Sequence, residues 1–172
     1  MANASANPYR LAAGFGALVG ARSMLGPMLI SRALVRRGAS VPRSGVIGRL
    51  ASRPVANALT ALAVSEMASD KYRRTPNRTA APLLGMRMGA SALAGAAVGR
   101  LHHRNPFGVA TVALAAGTLA TFATLFLRRR LARTTRLPLS AVGLVEDIAA
   151  LTAGYGLARK AIGIAPGASP NR

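Results

Sequence analysis

The sequence predicts an all-α membrane protein, a polytopic bundle of transmembrane helices with about five hydrophobic segments. Half of its 172 residues are hydrophobic (51%), only 4% are aromatic, and the net charge is +19. The basic residues stand in short clusters between long stretches nearly free of charge. A soluble basic domain would spread its charge along amphipathic helix faces, so this pattern favours a membrane protein over a nucleic-acid binder.

The clearest hydrophobic segment spans residues 107–127, which carry no charged side chain and are bounded by Arg104 and Arg128. A helix of about 20 residues crosses the roughly 30 Å of bilayer hydrocarbon, so this segment predicts a transmembrane helix. Four further apolar segments contain isolated charges; they span residues 11–34, 50–70, 80–98 and 137–158.

The first segment is expected to be kinked or broken at Gly26 and Pro27, because this pair frees backbone hydrogen bonds. It is too long for a cleaved signal peptide and is expected to stay in the mature protein. One helical domain, 9–165, is predicted between disordered tails, 1–8 and 166–172. Lys and Arg are nearly balanced between the two sides of a five-span arrangement, so they do not decide its orientation in the membrane. A re-entrant hairpin or two half-helices would change which loops lie on which side.

The acidic residues are few and lie in or at the end of apolar segments. They are Glu66, Asp70, Glu146 and Asp147, and the basic loops contain none. A carboxylate at the centre of a bilayer costs several kcal/mol on insertion scales, so it persists only when it faces protein, a cation or water. Glu66 and Asp70 share one helix face, with Lys71 just beyond them. These carboxylates are therefore the first candidates for a functional site.

Two arginines, Arg22 and Arg87, lie near the middle of their own apolar segments and are the natural counter-charges. Two cations with up to four anions predict a net negative site in mid-membrane that binds a cation, a proton or a basic solute. In the alternative interpretation the same residues form ion pairs and hydrogen bonds that only fix helix packing. The sequence leaves both interpretations open.

Glycines spaced by four residues form the second pattern. Such spacing lets helix backbones approach closely in lipid, so packing is the predicted role. The three pairs are Gly16 and Gly20, Gly85 and Gly89, and Gly95 and Gly99.

The sequence gives little support for disulfides, metal or cofactor sites, or nucleic-acid binding. The chain has no cysteine, which excludes disulfides and thiolate metal sites. His102 and His103 adjoin in a basic loop with no second ligand pair, so neither a metal nor another cofactor is predicted. The arginine clusters are expected to contact anionic lipid head groups. No nucleic-acid partner is predicted, because stacking aromatics are missing from the loops.

Three stretches, residues 14–27, 61–95 and 140–151, resemble the small bacterial membrane proteins grouped as domain of unknown function family 4126. The family pattern has an early Gly and Arg before a Pro, a Glu followed by Asp and Lys, and a late Glu-Asp pair. The resemblance implies an integral membrane protein and supplies no activity. The positions it marks in this chain are Arg22, Pro27, Glu66, Asp70, Lys71, Arg78, Thr79, Glu146 and Asp147.

The sequence thus favours a multi-pass protein of the bacterial cytoplasmic membrane that transports a small solute, coupled to a cation or proton. The competing prediction is a non-transporting protein that packs against a partner or organises lipid. No enzyme is predicted: an intramembrane lipid-modifying enzyme would use the carboxylates as acid and base, but no nucleophile or metal motif accompanies them. Self-association into a homo-oligomer is left open.

Overall fold

The computed structural model describes residues 7–38, 45–69, 81–134 and 139–163. Within these ranges the chain forms α-helices and no strand, which confirms the predicted all-α class. The helices are α1 (Pro8–Ala21), α2 (Leu25–Arg37), α3 (Gly45–Leu50), α4 (Arg53–Ser69), α5 (Ala81–Leu101), α6 (Pro106–Thr134) and α7 (Leu139–Ala161).

Each predicted hydrophobic segment corresponds to helix, with the first one divided into α1 and α2. The short helix α3 was not predicted, because its 6 residues are too few to show a period. α1 already begins at Pro8, where the Asn7 side chain accepts a hydrogen bond from the Tyr9 N–H (2.9 Å). Residues 7 and 8 therefore belong to the helical domain, while 1–6 and 164–172 lie outside the described residues.

The first hydrophobic segment is broken at Arg22–Met24, a few residues before the predicted site. Arg22 has extended backbone angles, and α2 starts at Leu25. Gly26 and Pro27 consequently lie in the first turn of α2. N–H groups in a first turn have no acceptor within the helix, so a proline there removes no helical hydrogen bond. The expectation of a break at Gly26 and Pro27 was wrong in position for this reason.

Beyond the break, α2 turns back along α1 instead of continuing it. A Cβ built on Gly26 would lie 2.5 Å from Val19 Cγ2 and 3.6 Å from the Phe15 carbonyl oxygen. In one straight helix, positions 15 and 26 would be about 16 Å apart along the axis. α3, which follows α2, lies at the far end of α5, where Gly45 approaches Arg100. Helices α1 and α2 therefore form a hairpin whose tip is Arg22–Met24.

The centre of the fold is the close packing of α1, α5 and α6. A Cβ on Gly16 would collide with the Ala113 carbonyl oxygen, and one on Gly20 with the Gly117 carbonyl oxygen. Four residues along α1, from Gly16 to Gly20, correspond to four residues along α6, from Ala113 to Gly117, so α1 and α6 run parallel. On α5, a Cβ at Gly95 would lie 2.8 Å from Ala110 Cα. Backbones this close leave no room for any side chain larger than hydrogen.

The other three predicted packing glycines differ in what surrounds them. Gly99 lies at the turn from α5 into α6, where its Cβ would be 3.0 Å from Pro106 Cα. A Cβ on Gly85 or Gly89 would meet no atom of the described chain within 4 Å. Neither of these two glycines brings described helices together. Gly154 on α7 was not singled out from the sequence, yet its Cβ would collide with Leu29.

The tip of the hairpin lies well inside the bundle but not at its centre. α7 runs antiparallel to α1, with Leu157 against Gly14 and Asp147 against Arg22. α6 meets the tip at Thr121, about 22 Å from its start at Pro106 and about 9 Å before Leu127. The charged residues of the tip are thus displaced toward one end of α5 and α6.

Among the described helices, two are long and apolar enough to cross a membrane, Ala81–Leu101 and Pro106–Leu127. The other helices do not meet both conditions. α1 and α2, with 14 and 13 residues, are each only about 20 Å long. Five spanning segments are therefore not confirmed, and the first segment does not form one straight span.

The packing of α1 on α6 predicts opposite outcomes for two glycine substitutions. Gly16→Ala should lower the free energy of unfolding by about 1–3 kcal/mol, because the new methyl group forces two backbones apart. Gly89→Ala should change it little or raise it by up to about 1 kcal/mol through helix propensity. Thermal unfolding of both variants in detergent measures the difference, and equal stability of the two would contradict this packing.

Candidate charged site at the helix break

The Glu66 carboxylate of α4 binds the tip of the α1–α2 hairpin. Its Oε1 accepts a hydrogen bond from the Ser23 N–H (2.9 Å), and its Oε2 accepts one from the Met24 N–H (3.0 Å). These N–H groups precede α2 and have no acceptor within that helix. A negative charge at a helix N-terminus is also favoured by the helix dipole. Glu66 therefore caps α2 from a different helix.

Arg87 of α5 connects the same carboxylate to the end of α1. Its Nη1 donates to the Gly20 carbonyl oxygen (2.8 Å), and its Nη2 lies 3.5 Å from Glu66 Oε1. The last carbonyl groups of a helix lack partners and carry partial negative charge, which a cation stabilises. Arg87 is only 6% exposed, so these contacts are made away from water.

Arg22, the residue that ends α1, forms a second ion pair with Asp147 of α7. Arg22 Nη2 and Asp147 Oδ1 are 2.5 Å apart, and the side chains are 1% and 7% exposed. Removing one charge from such a buried pair is strongly unfavourable for the charge that stays. The pair attaches α7 to the hairpin tip.

Helix α6 supplies a polar contact to the tip through Thr121. The Thr121 hydroxyl donates to Gly117 of its own helix (2.9 Å), with the Gly20 carbonyl oxygen at 3.2 Å. Helices α4, α5, α6 and α7 thus each place one polar side chain at the break. The hairpin tip is therefore enclosed by protein, and Arg22 and Ser23 are buried there.

The structure pairs both predicted arginines with predicted carboxylates. Glu146 is half-buried on α7, one residue before Asp147. Asp70, Lys71, Arg78 and Thr79 lie outside the described residues. The sequence did not reveal Thr121 or the backbone groups of Gly20, Ser23 and Met24 as parts of the site. Backbone donors and acceptors leave no mark in a sequence, and Thr121 is one of many threonines in the apolar segments.

The site holds charges in pairs and has no arrangement typical of a metal centre. The described residues contain no group of three or more His, Cys, Asp or Glu side chains that could hold a metal ion. His102 and His103 lie in the turn between α5 and α6, away from the break. What the break offers chemically is a set of buried cations, carboxylates and helix-end backbone groups in close contact.

No family model matches the chain, and neither a curated protein nor a solved structure is significantly similar to it. The resemblance to family 4126 therefore stays a prediction that rests on the three stretches given above.

The ion pair of Arg22 with Asp147 predicts a large loss of stability when it is broken from one side. Asp147→Asn should lower the free energy of unfolding by about 3–5 kcal/mol, because the buried Arg22 guanidinium loses the negative charge of Asp147. Glu146→Gln changes the half-buried neighbour of Asp147 and should lower the free energy of unfolding clearly less. Thermal unfolding in detergent measures the stability of both variants. Unchanged or raised stability of Asp147→Asn would mean that the carboxylate is kept for another reason.

Proposed function

We propose that the chain is a multi-pass membrane protein in which α4, α5, α6 and α7 cross the bilayer and the α1–α2 hairpin is re-entrant. The support is the apolar surface that the bundle leaves uncovered. Phe107 on α6 is 82% exposed and Val145 on α7 is 69% exposed. Soluble monomers rarely expose large contiguous apolar patches, whereas lipid covers them. Other exposed apolar side chains on these helices are Leu119, Phe122, Phe126, Leu127, Leu144 and Ile148.

The proposed location is a bacterial cytoplasmic membrane with anionic lipid. α1, α2, α5 and α7 all have an end on the side of the bundle away from the hairpin tip. Exposed basic residues lie in or next to the terminal turns at these ends, where each is worth about 1 kcal/mol of attraction to an anionic surface. They include Arg10, Arg36, Arg37, Arg100, Arg104 and Lys160.

The function that this geometry supports best is transport of a small solute. The single observation that carries the proposal is the interrupted helix, whose backbone groups meet buried charges at Arg22–Met24. Interrupted helices with charged ends facing each other are how many transporters build a binding site inside the membrane. Coupling to a proton or cation would use the carboxylates Glu66, Glu146 and Asp147, with movement of the hairpin against α4 and α7.

A second candidate is a non-transporting protein that binds a partner or organises anionic lipid. The observation in its favour is that Arg22 and Arg87 both have carboxylate partners. Ion pairs of this kind can serve to fix helix packing alone. In that case the exposed arginines on the surface would carry the function, and their replacement would harm it more than changes at the break.

Solute flux in proteoliposomes tests the transport proposal. The wild-type protein should raise the flux of at least one member of a panel of inorganic ions, protons and small solutes above that of protein-free vesicles. Arg87→Gln should reduce that flux at least tenfold, because it disconnects the end of α1 from Glu66. Ser65→Ala is the matched control, since its exposed hydroxyl donates to the Leu62 carbonyl oxygen of the same helix. A wild-type protein silent across the panel would favour the second candidate.

A further inference from the structure

We propose that the bundle binds one anionic phospholipid in a groove between α6 and α7, with the lipid phosphate at Arg10 and Lys160 and an acyl chain along α1. The inference rests on the membrane location proposed above and goes beyond it, because it assigns a lipid to one site. It does not require that the protein transports a solute.

The groove exists because α6 and α7 both pack on α1 but hardly on each other. On one side of α1, Gly20 lies against α6, and on another side Gly14 lies against Leu157 of α7. Between these two contact lines Ala17 is exposed, although α1 also packs against α2 and α5. The described helices therefore leave one face of α1 uncovered.

The lining of the groove is small and apolar. Ala120 borders it from α6, since its Cβ would lie 2.7 Å from a Cβ on Gly20. Ala153 borders it from α7, about one turn before Leu157 on the same face of that helix. Side chains this small do not fill the space between two helices, and a lipid tail is as apolar as the lining. The floor is formed by alanines on one face of α1 that are half-buried or exposed, namely Ala13, Ala17 and Ala21.

The length of the groove matches one leaflet of a bilayer. From Arg10 to Ala21 the axis of α1 rises about 16 Å, which is about half of the roughly 30 Å of bilayer hydrocarbon. The floor ends at Arg22, where the chain turns back into α2. A spanning helix of a second copy would be roughly twice as long and would have to pass the charged tip. The dimensions therefore favour an acyl chain as the occupant.

The outer end of the groove has two exposed cations. Arg10 lies on the same face of α1 as Ala17, and Lys160 lies about one turn beyond Leu157 on α7. Because α7 runs antiparallel to α1 with Leu157 at Gly14, Arg10 and Lys160 come to the same end of the groove. α1 and α6 contain no acidic residue, and the two carboxylates of α7 lie about 20 Å along that helix from Lys160. The charge at this end is therefore complementary to a lipid phosphate.

Native mass spectrometry of the purified protein in detergent tests the site by counting the lipids that remain bound. The protein is titrated with a phosphatidylglycerol and with a phosphatidylcholine of identical acyl chains. The wild type should bind one phosphatidylglycerol in a saturable way, and phosphatidylcholine about tenfold more weakly or less, because two cations favour the head group with a net negative charge. Bound phosphatidylglycerol should also raise the Tm, as a ligand of the folded state does. Equal binding of the two lipids overturns the proposal.

A pair of double variants tests the head-group end of the site. Arg10→Gln combined with Lys160→Gln should weaken the binding of phosphatidylglycerol about tenfold or more, because both cations at the groove are lost. Arg36→Gln combined with Arg37→Gln is the matched control, since it removes two exposed cations from α2 at the same end of the bundle. Equal losses in the two double variants overturn the site, because the effect would then be one of general charge.

A third variant tests the acyl-chain part of the site. Ala17→Leu should abolish saturable binding, because the larger side chain occupies the space of the lipid tail. Ala61→Leu places the same side chain at an exposed position of α4 and should leave lipid binding unchanged. If Ala17→Leu does not fold, Ala17→Met takes its place with an unbranched side chain. Unchanged lipid binding by whichever variant folds overturns the proposal. A wild-type dimer that the variant separates into monomers also overturns it, because the groove would then hold a second copy.

The outcome is distinguishable from that of the proposed function. Flux without lipid binding that responds to these variants would leave the transport proposal standing and overturn the lipid site. Lipid binding at the groove without flux would support the lipid site in a protein that does not transport. Recovery of the protein in the soluble fraction of a cell lysate would overturn the membrane location and the lipid site together.

Discussion

A helix that ends inside a protein must have its terminal N–H and C=O groups paired by other protein groups, because an unpaired buried backbone group costs free energy. At the Arg22–Met24 break the partners come from other helices. Glu66 accepts from the two N–H groups before α2, and Arg87 donates to the Gly20 carbonyl oxygen at the end of α1. These charge-assisted hydrogen bonds attach the hairpin tip to α4 and α5.

The same contacts explain why costly charges persist in apolar helices. Glu66 compensates two orphan donors and a guanidinium at once, and Arg87 compensates a helix C-terminus and a carboxylate. Close backbone packing brings these groups together, since Gly16 and Gly20 let α1 lie directly on α6. A structural role and a functional role of these charges are therefore compatible. A site assembled from helix ends supports the fold and can also bind a ligand.

Much of this could be predicted from the sequence, and the reasons for the rest are physical. Long uncharged stretches located the helices, and rare charges in apolar segments identified Arg22, Arg87, Glu66 and Asp147. Composition alone does not reveal where a chain reverses, so the break was assigned to Gly26 and Pro27 although proline is compatible with a first helical turn. Gly85 and Gly89 have the same spacing as Gly16 and Gly20, but no described helix packs against them. Spacing alone does not tell which face of a helix packs against another helix.

The measurement that tests the central claim most directly is a distance between spin labels attached at Asn7→Cys and Arg37→Cys. The chain has no native cysteine, so both labels are specific. A continuous helix from α1 through α2 would separate these positions by about 45 Å. The hairpin predicts a distance far below that value, in detergent and in bilayers alike. A distance distribution centred near the full helix length would contradict the α1–α2 hairpin and the charged tip built on it.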